Sequence, residues 1–135
     1  YDGRFSDVSG SEWFISALEK AVEEGIVDGY GDGSFAPDQY ITRAASCKII
    51  NGTLGRKPEK DGLLPEAQML TWPDCSPADW CYAQMQEATN SHDIRKRNNS
   101  NEAEKWTKKL PDRDWAALEH TWSNANSAAG GEVMK

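Results

Sequence analysis

The sequence predicts a mainly α-helical protein, and three observations support this. Apolar residues recur every three or four positions over residues 13–22, which is the spacing of an amphipathic helix. A second pattern of this kind follows 67 residues later, over residues 80–88. Gly25 and Thr42 supply a helix stop and a helix start on either side of a turn-rich loop. We therefore expect a largely helical chain with short turns between its helices.

The first helix is predicted to bury one apolar stripe. Its members are Trp13, Phe14, Ala17, Leu18, Ala21 and Val22. On the opposite face, Glu19 and Glu23 form a like-charge pair at i,i+4, which is mildly unfavourable. Tertiary packing must therefore hold this helix.

A second helix is predicted from Arg43 to about Leu54, where Gly55 closes it. Residues 58–71 contain two prolines and a glycine among charged residues and are predicted to be a linker. Further along the chain, Pro111 begins a helix that runs to Asn124, with tryptophans on one face.

A short motif precedes both amphipathic patterns. Phe5-Ser-Asp7 leads to Trp13, and Trp72-Pro-Asp74 leads to Trp80, in each case six residues after the aspartate. We expect both tryptophans in the core, and both aspartates to accept backbone N–H bonds in the turn before the helix. After residue 88 the second copy departs from the first. There, a polar run at residues 95–104 and a short helix at residues 102–110 are predicted.

Composition and charge exclude several functions. The net charge of −7 argues against nucleic acid as a partner, although residues 95–113 carry seven bases against three acids. No apolar run approaches eighteen residues, so we predict no membrane span. Three cysteines leave at least one thiol unpaired, and His92 and His120 lie far from them in sequence. We therefore predict no metal site and no cofactor.

The loop around residues 25–44 holds the candidate binding residues. Thr42 as N-cap leaves Arg43 at the first helical position, where a guanidinium beside free backbone N–H groups forms an anion receptor. Glycine turns at Gly29 and Gly33, with the acid Asp32, offer hydrogen-bonding groups. Tyr30 adds an aromatic face to this loop. The competing interpretation is that Arg43 simply pairs with Asp38 or Asp28.

Calcium binding and catalysis find little support in the sequence. The run from Asp28 to Gly33 imitates the start of an EF-hand loop, but Tyr30 and Gln39 stand where oxygen ligands are needed. No nucleophile elbow, phosphate loop or metal-binding helix motif occurs. We therefore predict that the chain is not an enzyme.

Many positions at fixed spacing over residues 5–57 resemble the S-layer homology repeat. They are Phe5-x-Asp7-Val8, Trp13, Ala17, Ala21, Gly25-Ile26, Gly29-Tyr30-x-Asp32-Gly33-x-Phe35-x-Pro37 and Ile41-Thr42-Arg43-Ala44. Residues 72–93 resemble the start of a second repeat. The resemblance implies a repeat at residues 1–57, a linker at 58–71 and a divergent second half at 72–135. It also implies helix–loop–helix repeats packed as a small bundle with short turns and extended loops.

The resemblance implies an extracellular module at the bacterial cell surface that binds secondary cell-wall polysaccharide carrying pyruvate ketals. The family's arginine falls on Arg43, its turn glycines on Gly29 and Gly33, and its loop acid on Asp32. Ala45 replaces a glutamate of the family pattern, so Thr42 alone caps the helix. An alternative is a structural or protein–protein interaction module that has lost the sugar site. Assembly of two or three copies as a homo-oligomer is left open.

Overall fold

The structure is a computed structural model that describes residues 1–128 and is mainly α-helical, as expected. The helices are α1 (Ile15–Glu23), α2 (Arg43–Thr53), α3 (Tyr82–Thr89) and α4 (Trp115–Ala128). The strands β1 (His92–Ile94) and β2 (Trp106–Lys109) form one antiparallel pair. The end of the predicted second half, residues 129–135, lies outside the described residues.

The first core lies between α1 and the loop that follows it. Its buried members are Phe5, Val8 and Leu18. Half-buried side chains of the loop, among them Phe35, pack around them, and the ring centroids of Phe5 and Phe35 are 5.4 Å apart. Apolar burial of this kind holds α1 in place. The like-charge pair expected from the sequence is offset, because Glu19 pairs with the N-terminal amino group and Glu23 pairs with Lys20.

The expectation that Trp13 and Trp80 are core residues is wrong. Trp13 is 94% exposed and Trp80 is 67% exposed. The buried face of α1 runs through Leu18 and Val22, which are four residues apart. Trp13 lies two residues before the start of α1, and its ring is outside the core on which its neighbour Phe14 packs. Ala17, also expected in the stripe, is exposed because it lies one residue before the buried Leu18, a rotation of roughly 100° on a helix.

The second core joins α2 to the second half of the chain. Helices α2 and α3 pack against each other. Their shared core contains the buried residues Cys47, Cys75, Cys81, Tyr82 and Met85. All three thiols are free, and the sulfur atoms of Cys75 and Cys81 lie 3.4 Å apart because the turn between them folds back.

Residues 58–71 contain two 3-10 turns, Lys60–Gly62 and Glu66–Gln68. Leu63 and Met69 from this segment pack on the second core. The division into residues 1–57, 58–71 and 72–135 stays a prediction, and the second core includes side chains from all three parts.

The prediction of a short helix at residues 102–110 is wrong, because β2 lies within that segment. Strand β2 pairs with β1 in a register that places Ile94 opposite Trp106. Trp106 is buried and stacks on His92 with 3.6 Å between ring centroids. A partner twelve or more residues away stabilises this extended conformation, and local sequence spacing carries no signal of such a partner.

Helix α4 begins at Trp115, where the carboxylate of Asp114 accepts the N–H of Ala117 at 3.0 Å. It therefore starts four residues later than the sequence predicts. Its large apolar side chains at Trp115, Leu118 and Trp122 are exposed, Trp122 to 71%. Within the described part of the chain, no helix has the length and hydropathy required to cross a membrane.

Candidate functional site

The loop between α1 and α2 is built by two local turns, as the sequence indicates. The N–H of Tyr30 donates to the carbonyl of Ser34 at 2.7 Å, and the N–H of Gly33 donates to the carbonyl of Tyr30 at 3.0 Å. Asp32 Oδ1 accepts the hydroxyl of Ser34 at 2.7 Å and its N–H at 3.0 Å. These bonds hold the pKa of Asp32 below its usual range. Asp32 therefore shapes the loop.

Asp7 stabilises this loop from a distance, which differs from the expectation that it acts in the turn before α1. Its two carboxylate oxygens accept the N–H groups of Phe35 at 2.8 Å and Ala36 at 2.6 Å. Both bonds lower the pKa of Asp7. They also hold Ala36 at a φ of 56°, a conformation that few non-glycine residues adopt. The repeated aromatic-x-Asp motif was the sequence signal for this residue, but its partners lie 28 and 29 residues away.

Gly29 and Tyr30 line a groove of about 290 Å³ beside α2. Lys48, on the second turn of α2, lines the same groove and forms an ion pair with Asp28. Tyr30 is 54% exposed, so its ring is available to a ligand. Sequence reasoning did not single out Lys48, because nothing in the local pattern distinguishes it from other surface lysines.

Arg43 is the first residue of α2, as expected, with Thr42 as the N-cap. The hydroxyl oxygen of Thr42 accepts the N–H of Ala45 at 3.1 Å. The Arg43 guanidinium donates to Asp74 Oδ1 at 2.6 Å, and both side chains remain more than half exposed. The competing interpretation named Asp38 or Asp28, but the partner is an aspartate from the second half of the chain.

The six candidate binding residues therefore fall into two groups. Gly29 and Tyr30 line the groove, whereas Asp32, Gly33, Thr42 and Arg43 are not part of its lining. Their assignment as ligand-binding residues stays a prediction.

A second polar cluster lies in the other half of the chain, and sequence reasoning missed it. Glu87 from α3, His92 from β1 and Glu104 are largely buried, with side chains 2%, 8% and 4% exposed. Trp106 donates its indole N–H to Glu87 Oε2 at 3.0 Å. His92 Nε2 lies 3.2 Å from the same oxygen. The three residues are separated by five and twelve positions in the sequence. No familiar metal-binding or catalytic motif has this spacing, so the sequence alone provides no reason to group them.

The environment of this cluster shifts its pKa values in different directions. Burial opposes the ionised form of Glu87, but contact with His92, together with hydrogen bonds to Glu104 and Trp106, outweighs it and holds the pKa of Glu87 below its usual range. Burial also opposes protonation of His92, and contact with Glu87 nevertheless raises its pKa. Burial and the neighbouring Glu87 carboxylate raise the pKa of Glu104.

Fold and site together define a small, mainly helical module that presents a capped helix start with an exposed arginine. Comparison with known proteins identifies the family of one segment of the chain. Residues 4–45 match the S-layer homology domain, and this segment is an S-layer homology repeat.

Curated relatives agree with this family. Cell surface glycoprotein 1 of Acetivibrio thermocellus is 33% identical over 89 residues, which is 66% of this chain and 4% of that protein. The middle cell wall protein of Brevibacillus brevis is 30% identical over 69 residues, 51% of this chain and 7% of that protein. The cellulosome-anchoring protein of Acetivibrio thermocellus is 42% identical over 40 residues, 30% of this chain and 9% of that protein.

The chain thus spans less than a tenth of each of these relatives. No solved structure is similar enough to count as a match. The relatives are cell-surface and cell-wall proteins, and the predicted extracellular location at the bacterial surface is confirmed by them.

Proposed function

We propose that this chain is a non-catalytic module that anchors a longer exported polypeptide to the bacterial cell wall. The S-layer homology repeat at residues 4–45 and the similarity to a protein named for cellulosome anchoring support this role. The proposed ligand is an anionic secondary cell-wall polysaccharide that carries pyruvate ketals. The exposed guanidinium of Arg43 at the start of α2 is the observation that carries the proposal.

The chemistry of this helix start suits an acidic sugar. A pyruvate ketal presents a carboxylate, which a guanidinium binds through two parallel hydrogen bonds. The unpaired N–H groups and dipole at the start of α2 add attraction for negative charge. In the proposed complex Thr42 keeps this helix end in place, and Tyr30 covers one face of a sugar ring. The loop from Gly29 through Asp32 to Gly33 supplies hydrogen bonds to hydroxyl groups.

Such a ligand must displace Asp74, at least in part, from its contact with the Arg43 guanidinium. The ion pair is solvent-exposed on both sides. Exposed pairs of this kind contribute only about 0.2–1 kcal/mol. A bidentate carboxylate at a helix N-terminus therefore competes successfully with Asp74.

Arg43→Ala is expected to weaken binding to purified peptidoglycan–polysaccharide sacculi by about tenfold to a hundredfold, the loss of a charged hydrogen bond worth about 1.5–3 kcal/mol. Binding isotherms on sacculi, with and without chemical removal of pyruvate, measure this. Removing pyruvate should weaken the wild-type protein by a similar factor and abolish the difference between wild type and Arg43→Ala.

Lys48→Ala is the matched control, because it removes one positive charge from the same helix but from within the groove. We expect it to weaken binding much less than Arg43→Ala does. The opposite order would transfer the proposed site from the helix start to the groove lined by Tyr30.

Asp74→Asn is expected to strengthen binding to the same sacculi, by up to about fivefold, because it releases Arg43 from an exposed ion pair. Circular dichroism of the variant serves as the control for folding. Weaker binding by a folded Asp74→Asn protein would show that Asp74 holds Arg43 in its binding orientation instead of competing for it.

The second candidate function is a structural or protein–protein interaction module that keeps the fold without the sugar site. The Arg43–Asp74 pair and the loss of the capping glutamate at Ala45 favour it. If neither removal of pyruvate nor Arg43→Ala weakens binding of the protein to sacculi, this alternative is established. Homo-oligomer formation stays a prediction, which light scattering coupled to size-exclusion chromatography measures.

A further inference from the structure

The buried cluster of Glu87, His92 and Glu104 has the composition of a metal site. One oxygen from each carboxylate and one nitrogen of His92 lie within 4.8 Å of one another. All three residues line a cleft of about 360 Å³, which gives an ion a route from solvent. The sequence predicts no metal site, because its histidines and cysteines are far apart along the chain.

The hydrogen bonds of His92 determine which ring nitrogen is available. Nδ1 lies 2.6 Å from the carbonyl oxygen of Asn90, which only accepts, so Nδ1 carries a proton. In the neutral ring Nε2 then has a lone pair directed at Glu87 Oε2, 3.2 Å away. A proton on Nε2 joins these two atoms in a salt bridge, and a metal ion between them would take the place of that proton. Metal-bound histidines are commonly oriented in this way, with the second ring nitrogen donating to a carbonyl.

Glu104 provides an independent observation. The residue is 3% exposed, and its Oε2 has no hydrogen-bond donor among the described residues. The neighbouring cation Arg97 lies 4.0 Å from the other oxygen, Oε1, which is too far for a hydrogen bond. A buried carboxylate oxygen without a donor is costly unless a proton or a metal ion satisfies it.

The separation of His92 and Glu87 suits two ligands of a small ion, and the three candidate ligand atoms together lie within 4.8 Å of one another. Zinc binds histidine nitrogen and carboxylate oxygen at about 2.0–2.2 Å, which places two ligand atoms of a tetrahedral site roughly 3.4 Å apart. The separation of 3.2 Å between His92 Nε2 and Glu87 Oε2 agrees with this spacing. Arg56 Nε lies 3.7 Å from Glu87 Oε1. Arg56 therefore does not occupy Oε2, the oxygen next to His92.

We propose that Glu87, His92 and Glu104 bind one divalent first-row transition ion, with the open coordination position facing the cleft. The mixed nitrogen and carboxylate set suits Zn²⁺ and is too small for Ca²⁺, which takes six to eight oxygen ligands. The site does not depend on the proposed polysaccharide binding, since it lies in the other half of the chain.

Calorimetric titration of the metal-free protein with ZnCl₂, under thiol-reducing conditions, tests this site. We expect one saturable site per chain. His92→Gln and Glu104→Gln should each weaken zinc binding by at least about tenfold. CaCl₂ should produce no saturable signal.

Two variants serve as matched controls. His120→Gln removes the other histidine, on the exposed helix α4, and should leave zinc binding unchanged. Cys75→Ser removes one of the two adjacent thiols and should also leave it unchanged. Zinc binding that is lost in Cys75→Ser, or retained in His92→Gln and Glu104→Gln, would overturn the proposal.

Absorption spectra of the Co²⁺-loaded wild-type protein give a test that needs no variant to fold. The proposed ligands predict visible d–d bands without a thiolate-to-cobalt charge-transfer band. A charge-transfer band, or the absence of any saturable zinc binding by the wild-type protein, would overturn the proposal.

Discussion

Gly62→Ala is expected to lower the free energy of unfolding by about 3 kcal/mol, toward the upper end of the usual costs of overpacking. A Cβ atom at this position would lie 2.0 Å from the carbonyl oxygen of Glu104 and 3.1 Å from its carbonyl carbon. Both are backbone atoms, so no change of rotamer relieves the contact. A backbone hydrogen bond also joins the segment before Gly62 to the segment around Glu104. In it, the N–H of Glu104 donates to the carbonyl oxygen of Lys57 at 2.9 Å.

Urea denaturation followed by circular dichroism measures this effect. Asp61→Ala is the control, because Asp61 is exposed in the same 3-10 turn and its loss should change stability by no more than about 0.5 kcal/mol. Equal stability of the two variants would contradict the close approach of residues 62 and 104.

Phe5→Ala is expected to lower the free energy of unfolding by about 3–5 kcal/mol, the usual cost of deleting a buried aromatic ring. Phe5 is 4% exposed and packs beside Leu18 and Phe35 in the first core. Its removal leaves a cavity against α1, a short helix whose stability depends on packing against this core. Thermal and urea unfolding of the purified variant provide the measurement.

Trp13→Ala supplies the matched comparison, since it also deletes an aromatic side chain of the same repeat. With Trp13 94% exposed, its loss should change stability by no more than about 0.5 kcal/mol. A large loss of stability in Trp13→Ala would mean that this ring is covered in solution by a surface outside residues 1–128. The pair of variants therefore separates the sequence-based expectation for Trp13 from the structure.

Local features of the fold could be predicted from the sequence because they depend on nearby residues. Thr42 was predicted to cap α2, and its hydroxyl oxygen accepts the N–H of Ala45 three residues on. Gly25 was predicted to end α1 in a left-handed conformation, and its φ is 68°. The placement of Arg43 at the first position of α2 follows from the same local chemistry.

Local sequence patterns did not predict which side chains are buried, or that β1 and β2 pair as strands. Periodicity placed Trp13 in the core because it detects apolar spacing but not which neighbour covers a face. A short helix was predicted at residues 102–110, whereas pairing of Trp106 with Ile94 makes residues 106–109 a strand. Helix propensity is a weak preference that such tertiary contacts override.

The candidate functional residues show the same difference between local features, which the sequence predicts, and distant contacts, which it does not. The helix start at Arg43, proposed to bind an anion, was visible in the sequence, but its contact with Asp74 crosses 31 residues. Lys48 became a candidate only when the structure placed it in the groove beside Tyr30. Neither contact has a signal in the local pattern.

The sequence by itself determined the resemblance of residues 4–45 to a known family, the end of α1, the start of α2 and the turns between them. The helix ends and the turns rest on bonds between residues a few positions apart. Tertiary structure alone decided that Asp7 supports residues 35 and 36, and that Glu87, His92 and Glu104 meet in one cluster. These pairings depend on how distant segments pack. Local hydrogen bonding restricts each segment's conformation but does not specify which other segment it contacts.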